Sequence, residues 1–131
     1  MKITLIQDDL VVEINKRLCL AEGNPHHLLK PGGVSSALHS AYYPGDYPFV
    51  HGGIPGIAGA LSFYLCQSHA FQDGNKRTAA QTSLLFLRLN GWDIRYPLKP
   101  NGLALIIEGC AKGEVDIEGL KKFYDSHKTP R

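Results

Sequence analysis

Several things this sequence lacks narrow its function before any motif is considered. No apolar run approaches the roughly 18–20 residues of a membrane-spanning helix, so no transmembrane segment is expected. The first residues, Met1 to Ile6, meet Asp8 and Asp9 too early for a secretory leader. The three cysteines, Cys19, Cys66 and Cys110, are odd in number and far apart, without CxxC or zinc-ligand spacing. They are expected as reduced thiols in the core of a cytoplasmic protein. Excess charge of one sign is also missing. Lys plus Arg is 14 against 12 for Asp plus Glu, a formal net charge of +2, which gives no polybasic surface for DNA or membranes. No internal repeat, low-complexity tract or linker interrupts the chain.

What is present fits one domain spanning residues 1–131, large enough to bury a core without a metal or disulfide staple. Apolar residues recur at helical spacing from Asp8 to Leu20, with Gly23 as the stop. A second short helix is expected from Val34 to about Ala41. Residues 42–53 carry Tyr42, Tyr43, Tyr47 and Phe49 among prolines and glycines, and so read as a loop or short hairpin. Their tyrosines either dock a target or cover the core. Ile54 to Ser68 is apolar nearly all round, as in a buried helix. Thr78 to Asn90 reads as another helix, Trp92 to Tyr96 as a short extended piece, and Leu103–Ala111 and Ile117–His127 as the last two helices. Residues 128–131 read as a frayed tail. The expected architecture is all-α, a compact bundle of about six helices with a flap around 42–53. His26 and His27 are adjacent, lack helical ligand spacing and read as surface polarity. Trp92 and Phe86 read as packing residues, and Arg88, Arg95, Lys121 and Lys122 as facing water.

The densest cluster of functional groups is His69-Ala70-Phe71-Gln72-Asp73-Gly74-Asn75-Lys76-Arg77, between two apolar helices. Gly74 and Asn75 tolerate the left-handed backbone that turns successive N–H groups into one concavity. The first-turn amides of the following helix and its dipole add to that anion cradle. Lys76 and Arg77 place two cations where a helix favours acids, a conflict that a bound phosphate resolves. Asp73 is a hard carboxylate suited to Mg²⁺ beside phosphates, a role that can coexist with capping the following helix. His69 has the chemistry to take a proton from an attacking hydroxyl, and Phe71 anchors the loop. The set fits transfer of a phosphate-containing group from a nucleotide to a hydroxyl.

On these residues the sequence resembles the Fic/Doc family, and within it the Doc (death-on-curing) toxins of type II toxin–antitoxin systems. The Doc form of the signature is His-x-Phe-x-Asp/Asn-Gly/Ala-Asn-Lys-Arg, and His69 to Arg77 matches every defined position. The segments Gly23–Pro31, Ser36–Leu38 and Leu85–Gly91 are similar to Doc as well. Two positions depart from the wider Fic signature. Lys76 stands for its second glycine and Ala80 for its distal arginine, which in adenylyl-transferring relatives helps hold the terminal phosphates. The resemblance therefore implies a Mg²⁺- and ATP-dependent phosphotransferase, a protein kinase-like toxin that phosphorylates a threonine of translation elongation factor Tu and arrests translation. It implies His69 as general base, Lys76 and Arg77 as catalytic phosphate clamps, Gly74 and Asn75 as the rest of the ATP cradle, and Asp73 as the Mg²⁺ ligand. It places target docking on the aromatic flap. The family's inhibitory pattern, Ser/Thr-x-x-x-Glu-Gly/Asn, is missing, because Glu114 stands four residues before Glu118-Gly119. Inhibition is thus expected in trans, from a Phd-like antitoxin. The competing readings are a Fic-type adenylyltransferase and, in another class, a non-catalytic nucleotide- or RNA-binding module.

Overall fold

The computed structural model describes residues 3–43, 53–95 and 102–131. They form six helices, α1 (Asp8–Ala21), α2 (Pro31–Tyr42), α3 (Ile54–Ser68), α4 (Asn75–Leu89), α5 (Gly102–Ala111) and α6 (Ile117–His127), with two short strands, β1 (Trp92–Ile94) and β2 (Lys128–Pro130). The fold is all-α in its core, as expected. Of the expected flap, Tyr42 closes α2 and Tyr43 follows it; residues 44–52, with Tyr47 and Phe49, lie outside the described residues.

α3 is the axis of the bundle. Ile57, Ala58, Ala60 and Leu61 are fully buried, and α2, α4, α5 and α6 all pack on it. A helix enclosed on every side must be apolar all round, which the sequence of α3 supplies. Its small residues set the spacing. A Cβ on Gly59 would lie 2.5 Å from the Lys121 backbone nitrogen, so α6 rests directly on the α3 backbone. Beside that contact runs a buried hydroxyl chain. Ser83 donates to the Ala79 carbonyl (2.9 Å), so Ser62 must donate to Ser83 (2.6 Å) and Tyr124 to Ser62 (2.7 Å). The chain ties α6, α3 and α4 together with every proton used. Lys121, expected in water, is drawn half under by this approach and pairs with Glu118.

Helices α2 and α4 begin earlier than the apolar periodicity alone indicates. Pro31 fits the first turn of α2, where no N–H is needed. Gly74, at φ 76° and ψ 15°, makes the left-handed entry from which α4 starts at Asn75. Tyr42 fastens α2 to the N-terminal segment: its hydroxyl donates to the Ile6 carbonyl (2.8 Å) and accepts from the Ile6 N–H (3.0 Å). Burial pushes that phenol up to about 12.

The C-terminal tail is not frayed. Lys128–Pro130 pairs antiparallel with Trp92–Ile94. Buried Ile94 anchors the pair, the Lys128 ammonium sits 5.3 Å from the Trp92 ring centre, and the Arg131 N–H reaches the Gly91 carbonyl at 3.0 Å. A three-residue strand is too short for a periodic signal, which hid it in the sequence. All three cysteines are free and buried, as expected. Among the described residues no helix is long and apolar enough to cross a membrane.

Candidate active site

The motif fills the turn between α3 and α4. At its entry His69 takes a left-handed conformation, φ 48° and ψ 38°, and is the one non-glycine with positive φ among the described residues. For an L-residue that backbone is costly. The His69 side chain is exposed, whereas Ala70 and Phe71 beside it are buried. The strain is not compensated by packing of the imidazole, and strained residues of this kind gather at reactive positions.

The loop is held by its own residues and by the segment before α2. The Asn75 side chain accepts from the Phe71 N–H (3.1 Å) and donates to the Phe71 carbonyl (2.7 Å), closing the turn on itself. The Ala70 carbonyl accepts from the N–H groups of Leu29 (2.7 Å) and Lys30 (3.1 Å), and Gln72 donates to the His27 carbonyl (2.9 Å). Leu28 and Phe71 thus form an antiparallel bridge. Residues that read as mere punctuation in the sequence, 27–30, serve as a short strand-like brace for the loop.

His69, Asp73, Gly74, Asn75, Lys76 and Arg77 line one cavity of about 370 Å³, with Cys66, Gln72 and Ala111 completing its wall. Seven of the nine motif residues, Gln72 included, therefore share one space. The first turn of α4 faces it with no acidic residue, and Asp73 holds the Gly74 N–H through Oδ1 (2.8 Å). Among the described residues no group of three or more His, Cys, Asp or Glu could hold a metal ion by itself. A single carboxylate such as that of Asp73 is nevertheless a donor set Mg²⁺ commonly takes when phosphate oxygens and waters complete its shell.

Both motif cations have carboxylate partners that sequence reasoning missed. Lys76 Nζ lies 2.6 Å from Oε2 of Glu108 on α5, and Arg77 pairs with Glu22 at the end of α1. The hydrogen bond and charge of Glu108 hold Lys76 above its usual value, and Lys76 holds Glu108 below the carboxylate range. All four side chains are about half-exposed, so these contacts can be exchanged for a stronger anion. The one carboxylate inside otherwise apolar α5 was a usable signal for Glu108. Glu22 gave none.

Beyond Lys76 and Arg77 lies a second cavity of about 380 Å³, with Ala80, Gln81, Leu103, Ala104, Ile107 and Glu108 in its wall. Ala80 thus contributes only a methyl group where the wider signature has an arginine. Two thiols near the site, Cys66 and Cys19, are biased toward their protonated forms. Burial, then neighbouring Cys110, pushes Cys66 up to about 12 against the pull of Lys76, and burial with the charge of Asp73 raises Cys19.

His26, expected at the surface, is half-buried behind the loop: its ring lies 6.2 Å from that of Phe71 and its Nδ1 is 2.8 Å from Asn15 Oδ1. Asn15 itself is fully buried between Val11 and Cys19 on α1. A polar residue at the centre of that i, i+4 stripe was the signal available for it.

Comparison with known proteins gives the family. A family model described as "Fic/DOC family" matches residues 6–87, more than half of the 131-residue chain. A relative, "Protein kinase doc" of Escherichia phage P1, is 38% identical over 64 residues, which cover 46% of this chain and 48% of that protein. The chain thus matches about half the length of that relative. With the nine-residue motif seated between α3 and α4 and the family match running through both, the chain belongs to the Fic/Doc family as a Doc-type member.

Proposed function

We propose that this protein is a Doc-like toxin that transfers the γ-phosphoryl group of ATP to a protein hydroxyl. The observation that carries the reading is the convergence of His69, Asp73, the α4 N-terminus, Lys76 and Arg77 on one cavity. The imidazole of His69 takes the proton of the attacking hydroxyl. The hydroxyl oxygen forms a bond to the γ-phosphorus while the bond from that phosphorus to the β–γ bridging oxygen breaks, and ADP leaves. The first-turn amides of α4, Lys76 and Arg77 bind the phosphates and offset charge that grows on the bridging oxygen. Asp73 would hold Mg²⁺, which when bound supplies charge neutralisation between the phosphates. Glu22 and Glu108 release the two cations when the nucleotide enters.

Phosphoryl rather than adenylyl transfer is favoured by the methyl group of Ala80, which offers no cation for terminal phosphates beyond Arg77. A non-catalytic anion site would need neither the strained His69 nor the Asp73 carboxylate. From the resemblance to Doc toxins, the substrate hydroxyl is a threonine of elongation factor Tu, the consequence is arrest of translation in the cytoplasm, and a Phd-like antitoxin neutralises the protein in trans. Induced expression tests the reading. The original chain should stop growth, and His69→Ala, at equal folded yield, should not. Equal toxicity of the two chains would remove the catalytic role of His69.

A further inference from the structure

One residue that joins the motif loop to the body of the fold lies 58 positions before Asp73. Asn15 is completely buried on α1. Its Nδ2 donates to the Asp73 carbonyl (2.9 Å) and to Thr78 Oγ1 (3.0 Å). Its Oδ1 lies 2.8 Å from His26 Nδ1 and accepts weakly from the Cys19 thiol at 3.6 Å. The orientation of the amide is chemically forced, since the Asp73 carbonyl can only accept and must face the NH₂ group. It follows that Oδ1 faces His26, and that His26 Nδ1 carries a proton.

The contacts of this amide fall on both sides of the reacting turn. Asp73 precedes Gly74, and Thr78 belongs to the first turn of α4. Gly74 itself fits against the amide, because a Cβ there would lie 3.1 Å from Nδ2. His26 extends the grip to the neighbouring brace segment, where the His27 carbonyl accepts from the Gln72 N–H. For stability alone this position of the Val11–Cys19 stripe calls for an aliphatic residue, since a buried amide gains little even when fully bonded. A satisfied buried amide instead fixes one arrangement of the groups around it.

We propose that Asn15 and His26 are positioning residues for the reacting loop. They hold the Asp73 backbone and the first turn of α4 at the separation in which the Asp73 carboxylate and the α4 amides share one cavity. The proposal rests on the reading of His69–Arg77 as the reacting segment.

Three variants of the full chain test it. Asn15→Asp keeps the shape but sets an acceptor against the Asp73 carbonyl. His26→Ala removes the donor to Asn15. His26→Asn restores one, because its amide nitrogen occupies the same place relative to Cβ as ring Nδ1. Hydrogen–deuterium exchange read over residues 71–77, with α6 as internal reference, should be about tenfold faster in Asn15→Asp and His26→Ala and near the original in His26→Asn. The Mg²⁺ concentration for half-maximal transfer from ATP should rise about tenfold in the first two variants, with the KM for the protein target unchanged. Unchanged loop exchange in His26→Ala would overturn the proposal, as would failure of His26→Asn to restore it, or faster exchange in loop and α6 alike. Should Asn15→Asp not fold, the two His26 variants decide the matter alone. If the original chain transfers no phosphoryl group, the proposed function fails, and the exchange comparison still decides for or against the positioning role.

Discussion

Replacing His69 by glycine separates two properties that alanine leaves combined. His69 occupies the left-handed region at φ 48° with an exposed side chain, so its removal forfeits little packing. An L-residue there costs ~1–2 kcal/mol relative to glycine. Glycine gives back part of this, ~0.4–1 kcal/mol, through the greater freedom of its unfolded chain. His69→Gly should therefore be more stable than both the original chain and His69→Ala, by about 0.5–1 kcal/mol. For a domain of this size that is a rise in melting temperature of about 2–4 °C. Both variants lose the proposed general base, and phosphoryl transfer should fall by about 10²–10⁴-fold. Thermal melts followed by circular dichroism, beside initial transfer rates, read both effects. Strain retained for reactivity predicts opposite movements of stability and rate. A His69→Gly protein that melts below His69→Ala, or transfers at the original rate, would refute the argument.

Other perturbations have equally definite signs. Gly59→Ala would raise helix propensity by ~1 kcal/mol were the site open, but its Cβ would lie 2.5 Å from the Lys121 nitrogen. Overpacking against backbone, about 3 kcal/mol, should win and leave a net destabilisation of about 2 kcal/mol in urea unfolding; an unchanged or raised midpoint would contradict the α3–α6 contact. Tyr42→Phe strips the Ile6 N–H and carbonyl of their shared hydroxyl, and should cost about 1–3 kcal/mol in the same assay. Glu108→Gln removes the carboxylate on Lys76. It should tighten binding of Mg²⁺–ATP by a factor of about two to five, the scale of an exposed ion pair, read by titration calorimetry. Asp93 is held below its ordinary value of 3.8 by the Ile94 N–H and then by Arg88. A lowered carboxylate stabilises above its unfolded pKa and loses that contribution as the pH falls through the folded value. Melting temperature should thus drop more steeply below about pH 4 in the original chain than in Asp93→Asn.

Elements whose pattern is complete within themselves were legible in the sequence. α3 and α6 run between the residues expected, 54–68 and 117–127, because each has clear stops and a continuous apolar face. α2 and α4 were read short, since Pro31 and Gly74-Asn75 look like breaks when periodicity is the guide and act as helix starts in the fold. The β1–β2 pair joins residues 92–94 to 128–130, and no local signal specifies such a partnership. The same division holds at the site. The motif residues that line the cavity, His69 and Gln72 to Arg77, fall within nine consecutive positions, so the cluster could be read from the chain. Asn15, Glu22, His26 and Glu108 reach it from α1, the brace and α5. Their roles exist only once those elements pack. The sequence reading does not single out Asn15, and it places His26 at the surface.

The central claim is that the cavity around His69 and Arg77 moves the terminal phosphoryl group of ATP. It is tested most directly by incubating the purified chain with Mg²⁺, elongation factor Tu and ATP labelled in either the γ- or the α-phosphate. The account predicts label on the factor from the γ position alone. Label arriving from the α position would contradict it, making the chain an adenylyltransferase despite Lys76 and Ala80.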